Sequence, residues 1–368
     1  MQRYIKTNME MTSKERVMTA LRHQETDRVP VGHGFGATIP VRKKLMTHLG
    51  LNTMRQVEDY LLKFSDIRYV AADYVGPNDL NKELNDGSRI DIWGVVRKPV
   101  YYGTEGGFYN EIDFYPLKQA SSLKDLDQHR WPLPEWFNAV YLKDKIRSLN
   151  QGNEYAIRIS NGNIFETSWY MRGFEQMMMD IILEPDFAWE IMNRVTDYYI
   201  GYFERLLQAA DGMIDIVFTA DDIGHQENLF MSLDMWETMI KPHHARLNRF
   251  LHNFGVKIMY HSDGAVMDAV PGLIDMGIDI LEALQFDAKG MDPYILKEKY
   301  GNNLCFHGGV SVQKTLPYGT IQDVVGEVRE RKQVLGKNGG YIIAPSHAIQ
   351  AGTPPENIVA FLTEAAKK

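Results

Sequence analysis

Eight short apolar segments, most of them separated by stretches of helical length, constrain this chain more than any other feature. They are Val29 to Val31, Ile67 to Val70, Tyr155 to Ile159, Ile214 to Thr219, Lys257 to Tyr260, Ile278 to Leu284, Leu304 to Phe306 and Tyr341 to Ala344. Such continuous apolar runs suit strands buried on both faces, and helix-length spacers suit the crossovers that parallel strands require. Phe174 to Met192, Asp197 to Ala210, Ser232 to Phe254 and Thr320 to Leu335 carry amphipathic patterns. Thr12-x-x-Glu15, ahead of Val17, Ala20 and Leu21, is a capping-box start for a first helix. Eight strand and helix units predict an α/β fold of the (β/α)8 TIM-barrel class. With 368 residues, 44% of them hydrophobic, the chain can bury such a core as a single domain spanning 1–368.

The interval between the second and third strands is too long for one crossover. Residues 75–150 contain Arg89 to Val96, Pro99 to Tyr102 and Phe108 to Phe114, punctuated by Gly103, Gly106 and Gly107 and followed by Pro132 and Pro134. Alternating strand-like runs with glycines between them predict a β-hairpin insertion, a rim or lid rather than a second domain.

Charge excludes one class of partner. Lys and Arg number 40 against 48 Asp and Glu, a net charge of −8, with no basic stripe to track a nucleic-acid backbone. No run of about 18 apolar residues suggests a membrane span, and the opening Met1 to Thr7 lacks a signal-peptide core, so a cytoplasmic location is expected. The single cysteine, Cys305, rules out an internal disulfide and a cysteine-only metal cage; its flanks Leu304 and Phe306 predict a packed, unreactive thiol.

In a barrel of this kind chemistry sits where strands end. Just past the proposed strands stand His33, Asp73, Asn161 with Glu166, Asp221 with Asp222, His261 with Asp263, Gln285, His307, and Ser346 with His347. Asp and Asn at such positions also cap helices, an equal reading for Asp73 and Asn161. Histidine is a poorer cap, so four of the 11 histidines there weigh more. His261, Asp263 and His347 are metal-capable and come from two remote stretches that a barrel would bring to one mouth. Asp221 and Asp222 cannot point the same way from an extended strand end; one faces the site and the other holds a loop or helix start.

Phe165-Glu-Thr-Ser-Trp169-Tyr-Met-Arg172-Gly, Thr219-Ala-Asp-Asp-Ile-Gly-His-Gln226, His261-Ser-Asp-Gly264, Phe306-His-Gly-Gly-Val310 and Ala344-Pro-Ser-His-Ala-Ile-Gln350, with Asp91-Ile-Trp-Gly94 in the insertion, resemble the uroporphyrinogen decarboxylase superfamily. The resemblance runs over nearly the whole chain and implies a (β/α)8 barrel. It covers two chemistries: metal-free decarboxylation of porphyrinogen acetate arms, and methyl transfer to or from the cobalt of a corrinoid protein. The decarboxylases carry Arg-Gln-Ala-Gly-Arg at the first strand, whereas this chain reads Val29-Pro-Val-Gly-His-Gly-Phe-Gly36. Without those guanidinium groups several substrate carboxylates would go unpaired, which disfavours porphyrinogen turnover.

Corrinoid-linked relatives acting on thiols hold zinc with a His-x-Cys pair after the fifth strand and a Cys after the eighth. On that alignment His261 is retained, while Asp263 and His347 stand at the two Cys positions. His, Asp and His are competent zinc ligands, and oxygen and imidazole donors leave a stronger Lewis acid than thiolates do. The resemblance therefore implies methyl transfer from a small O-methylated donor, an aromatic methyl ether in the preferred case, to Co(I) of a separate corrinoid protein. Glu166 or one of Asp221 and Asp222 would supply a proton, and His33, Phe165, Trp169, Arg172, Gln285 and His307 would contact substrate. The resemblance also allows a homodimer. Three alternatives stay open: a metal-free His261 and Asp263 pair with His347 orienting substrate, a decarboxylase of a small carboxylic acid, and a binding protein without catalysis.

Overall fold

The computed structural model describes residues 10–103 and 106–368; the opening Met1 to Thr7 and the tip of the predicted hairpin at 104–105 lie outside them. Seven parallel strands form one sheet in sequential order: β1 (Ile67–Tyr69), β2 (Ala156–Asn163), β3 (Ile216–Ala220), β4 (Lys257–His261), β5 (Ile280–Ala283), β6 (Cys305–Val310) and β7 (Tyr341–Pro345). Strands β3, β5, β6 and β7 are buried at every position, as strands covered on both faces must be.

The segment expected as the first strand is reduced to a bridge. Val31 pairs in parallel with Ile343 of β7, and Gly32 N–H donates to Ile343 O at 2.8 Å. On the other side Asp66 N–H, just before β1, donates to Val31 O at 2.9 Å, so this short segment spans both edges of the curled sheet. Two causes keep it short: Pro30 has no N–H, and the N–H of Val31 donates to the Asp66 carboxylate at 2.8 Å. Asp66 is itself held by Arg16 and Arg28, each at 2.7 Å.

Two apolar layers result. Alternate strand residues, including Ile67, Ala156, Phe218, Met259, Ile280, Cys305 and Ile342, meet inside the curl. The remaining strand positions pack outward against the helices in a larger core. Burial pushes the Cys305 thiol up to about 12, an inert side chain as expected.

Thr12 and Glu15 form the expected capping box on the helix Ser13–Ala20, and Thr320 caps Ile321–Leu335. The helix boundaries within 174–210 differ from expectation. The chain breaks at Glu184, because Pro185 disfavours a helical residue before it, and Pro185–Ala210 then runs unbroken for 26 residues. The stretch from Ser232 contains a π turn at Trp236–Ile240 directly ahead of Pro242, which cannot donate to the helix ladder.

Between β1 and β2 lies a four-stranded antiparallel sheet of Lys82–Glu83, Arg89–Ile90, Val96–Tyr102 and Gly107–Phe114. Trp93 ties it to the long helix, its ring 4.9 Å from that of Tyr198. Tyr102 OH donates to Gln350 Oε1 at 2.7 Å in the loop after β7, so the sheet touches the end where the strands terminate. Asp73 is exposed, paired with Lys145 at 2.5 Å in a short antiparallel ladder. Among the described residues no helix is long and apolar enough to cross a membrane.

Candidate functional site

β4 ends on His261, and the chain then turns through Ser262 to Asp263. The turn requires Gly264: φ is +87°, and a Cβ there would lie 2.7 Å from the carbonyl of His225. β7 ends on Pro345, two residues before His347. His261, Asp263 and His347 each offer a ligand atom, and these atoms lie within 4.8 Å of one another. His261 Nε2 is 4.0 Å from Asp263 Oδ1, and His347 Nε2 is 3.8 Å from Asp263 Oδ2.

The other nitrogen of His261 is committed. Nδ1 pairs with Glu282 Oε2 on the adjacent strand, with His261 and Glu282 directly in register. That contact aims Nε2 at Asp263 and His347, as a carboxylate behind a metal-bound histidine does. Burial by itself would lower the His261 pKa, but the charge and hydrogen bond of Glu282, with Asp263 and Asp222 adding to them, push it up to about 10. Burial raises Asp263 to about 7 against the pull of His261. His347 is lowered, first by burial and then by His261. Asp263 Oδ1 is buried without a hydrogen-bond partner, an orphaned acceptor beside two imidazoles. The donor set, spacing and orphaned oxygen fit zinc, with three protein ligands and room for a fourth.

The two adjacent aspartates separate. Asp221 is fully buried at the start of the helix Ile164–Arg172, accepting from the N–H groups of Ile164, Phe165 and Glu166 at 3.2, 2.7 and 2.7 Å, and it pairs with His244 at 2.5 Å. It is the residue that holds a helix start, and it has no free oxygen for proton transfer to a substrate. Asp222 faces the cluster: its Oδ1 accepts from Asp263 N–H at 2.8 Å and lies 3.5 Å from His261 Nε2. Glu166 is buried, receiving Asn163 Nδ2 at 2.7 Å and Tyr170 OH at 2.8 Å. Burial first, then Asp222 and Asp221, raises it to about 7, so it retains a proton near neutrality.

The expected substrate contacts divide. His307 is buried with Nδ1 3.6 Å from Glu282 Oε1, and burial lowers its pKa. His33 is half-buried, and burial lowers it to about 4, leaving a neutral ring. Trp169 is half-buried against Tyr170 and Phe174, with ring centroids at 4.3 and 5.5 Å. Gln285 braces the turn after β4, accepting from Gly264 N–H at 2.9 Å and Gln226 Nε2 at 3.1 Å. Two expectations are corrected. Arg172 is engaged by Asp180 at 2.6 Å and by the carbonyls of Leu117, Lys118 and Ala120, leaving nothing for a substrate carboxylate. Phe165 is wholly buried in the outer core and offers no surface for a substrate wall.

Sequence reasoning missed two residues here. Glu282 is the one charge in the buried run Ile280–Ala283, a signal that was available. Phe35 packs against both imidazoles, 4.8 Å from the rings of His261 and His347, and is 43% exposed, which puts it at the mouth. An aromatic between two glycines after the first apolar segment was the only hint.

A curled parallel sheet with imidazoles and carboxylates gathered past its strand ends defines an α/β enzyme-type scaffold. The profile of the uroporphyrinogen decarboxylase (URO-D) family matches residues 114–368. The chain belongs to that family. Its fold is similar to that of a methyltransferase from Methanosarcina mazei, with a TM-score of 0.68 and 20% identity over 97% of this chain and 98% of that one. A D-psicose 3-epimerase from Clostridium cellulolyticum H10 matches at a TM-score of 0.37 and 11% identity, over 62% of this chain and 81% of that one. A CBL-interacting protein kinase 2 from Oryza sativa subsp. japonica is 25% identical over 114 residues, 30% of this chain and 24% of that protein. This chain thus spans about a quarter of the kinase's length.

Proposed function

We propose that this protein is a methyltransferase that takes a methyl group from a small O-methylated substrate, preferentially an aromatic methyl ether, for delivery to a corrinoid on a separate protein. The observation that carries the reading is the convergence of His261, Asp263 and His347 within 4.8 Å, backed by Glu282 on His261. A zinc ion held by these three side chains would act as a Lewis acid on the departing oxygen, and the corrinoid would be the methyl acceptor. Glu282 sets the tautomer of His261. Glu166, protonated near neutrality and close enough to Asp222 to feel its charge, donates a proton to the leaving oxygen. Phe35 covers the two imidazoles from the mouth, and the sheet within 75–150, read as a rim, guides the approach of the partner. In this reading Val31 is the reduced first strand of a (β/α)8 barrel.

The fold likeness to the Methanosarcina mazei methyltransferase supports methyl transfer, and family membership is compatible with it. Porphyrinogen decarboxylation fits less well, because Val29 to Gly36 contains no arginine and the neighbouring Arg28 is bound to Asp66. Metal analysis of the purified protein tests the reading: one zinc per chain is expected, and no zinc after reconstitution would remove its basis and favour a metal-free decarboxylase.

A further inference from the structure

Among the described residues the buried arginines are satisfied, with one exception. Arg16 pairs with Asp27 and Asp66, Arg172 with Asp180, and Arg331 with Glu327, while Arg68 donates to the carbonyls of Leu62, Ser65 and Ile67. Arg158 of β2 is 5% exposed, yet the one hydrogen-bond partner of its guanidinium among the described residues is the Met259 thioether at 3.5 Å. Its Nε is buried without any partner. A thioether is a weak acceptor, so a full positive charge sits in the interior nearly uncompensated, which costs free energy that an anion would offset.

The surroundings show which part of the guanidinium is available. Its carbon lies 4.2 Å from the centre of the Tyr69 ring and 4.5 Å from that of Phe218. Two rings stacked on a planar cation leave its edge, where the N–H groups point, and an edge of that kind matches a carboxylate in bidentate fashion. Tyr69, Arg158 and Phe218 occupy inward positions on three adjacent strands, the parity shared by Met259 and His261 on β4. Phe218 connects the two places, its ring centroid 6.0 Å from that of His261. Going inward from the metal-capable cluster, the lumen therefore offers an aromatic wall and then an unpaired cation.

We infer that Arg158 binds the carboxylate of the substrate, so that this protein acts on a small organic acid anchored by its anion inside the sheet and presenting its other end to His261, Asp263 and His347. The inference rests on the proposed use of that end as the reacting site and adds the substrate class. Anchoring at Arg158 would fix how far the reacting atom stands from the mouth, and the flanking rings favour an aromatic acid.

Benzoate and its neutral isostere benzamide are titrated calorimetrically into the full-length protein, stripped of metal so that no carboxylate binding comes from zinc. Benzoate should bind about ten-fold or more tightly than benzamide. Arg158→Met should abolish that preference, Arg158→Lys should keep part of it, and zinc stoichiometry should be unchanged in both. Equal affinities in the wild type, a preference surviving in Arg158→Met, or chloride competing as well as benzoate would overturn the inference. If Arg158→Met does not fold, the wild-type contrast and Arg158→Lys still decide. Zinc taken up on reconstitution without benzoate binding to the stripped protein would defeat the anion site alone, and benzoate binding by a protein that takes up no zinc on reconstitution would defeat the proposed metal centre alone.

Discussion

Glu282 bridges two histidines: its Oε2 pairs with Nδ1 of His261, while its Oε1 stands 3.6 Å from Nδ1 of His307. The carboxylate is wholly buried, and its pKa is held well below the usual range: burial opposes ionisation, but the charge and hydrogen bond of His261 overcome it. Glu282→Gln keeps the shape and removes the charge. Zinc affinity is expected to fall about 10- to 100-fold, as it does when the group behind a metal-bound histidine is lost. A competition titration against a chromophoric chelator measures this, and an unchanged affinity would mean that His261 is not a ligand.

His261→Ala is expected to remove zinc and, because it leaves the buried Glu282 carboxylate without its partner, to lower the thermal transition, while a cooperative transition persists because the core is formed by the two apolar layers. Metal content by mass spectrometry and a melt of the same sample report both. Full zinc occupancy in the variant would exclude the assigned ligand set.

The two aspartates should part company on mutation. Asp221→Ala leaves three buried N–H groups and His244 without their acceptor, and a stability loss of about 3–5 kcal/mol is expected. Asp222→Asn should change stability little and lower activity, because that carboxylate faces the cluster. Urea melts and turnover of the two variants give the comparison; equal behaviour would contradict the division of roles.

The strands are legible in the sequence because most are short, largely buried runs, whose apolar character survives any detail of packing. The site is legible in part for a different reason. His261, Asp263 and His347 follow such runs, and a parallel sheet brings strand ends together wherever they lie in the chain. What is not legible depends on neighbours. Arg172 reads as a substrate contact until Asp180, eight residues on, takes its guanidinium. The choice between Asp221 and Asp222 depends on a helix that begins more than fifty residues earlier. Glu282 and Arg158 lie inside strands rather than after them, so a search confined to loop starts passes over both.

Glu166 sets a pH dependence with a definite sign. Its folded pKa of about 7 lies above the ordinary carboxylic value of 4.5, so it donates a proton below about 7 and loses that ability as pH rises through it. kcat/KM should fall on the alkaline side, and Glu166→Gln should lower activity and remove that limb. The linked stability has the same direction: the contribution of Glu166 is fully present below about 4.5 and is lost as pH rises through about 7. A pH profile without an alkaline limb near neutrality in the wild type would rule out Glu166 as the acid.

Methyl-cobalt formation tests the central claim most directly. The zinc-loaded protein is mixed with a Co(I) corrinoid protein and, in turn, with methoxylated aromatics, methanol and methylamines, and the cobalt spectrum is followed. The expected result is methylation from oxygen donors, strongest with aromatic ethers because a phenolate leaves more readily, and lost when the metal is removed. Activity confined to the amines, or carbon dioxide release from a small acid without any corrinoid, would contradict it.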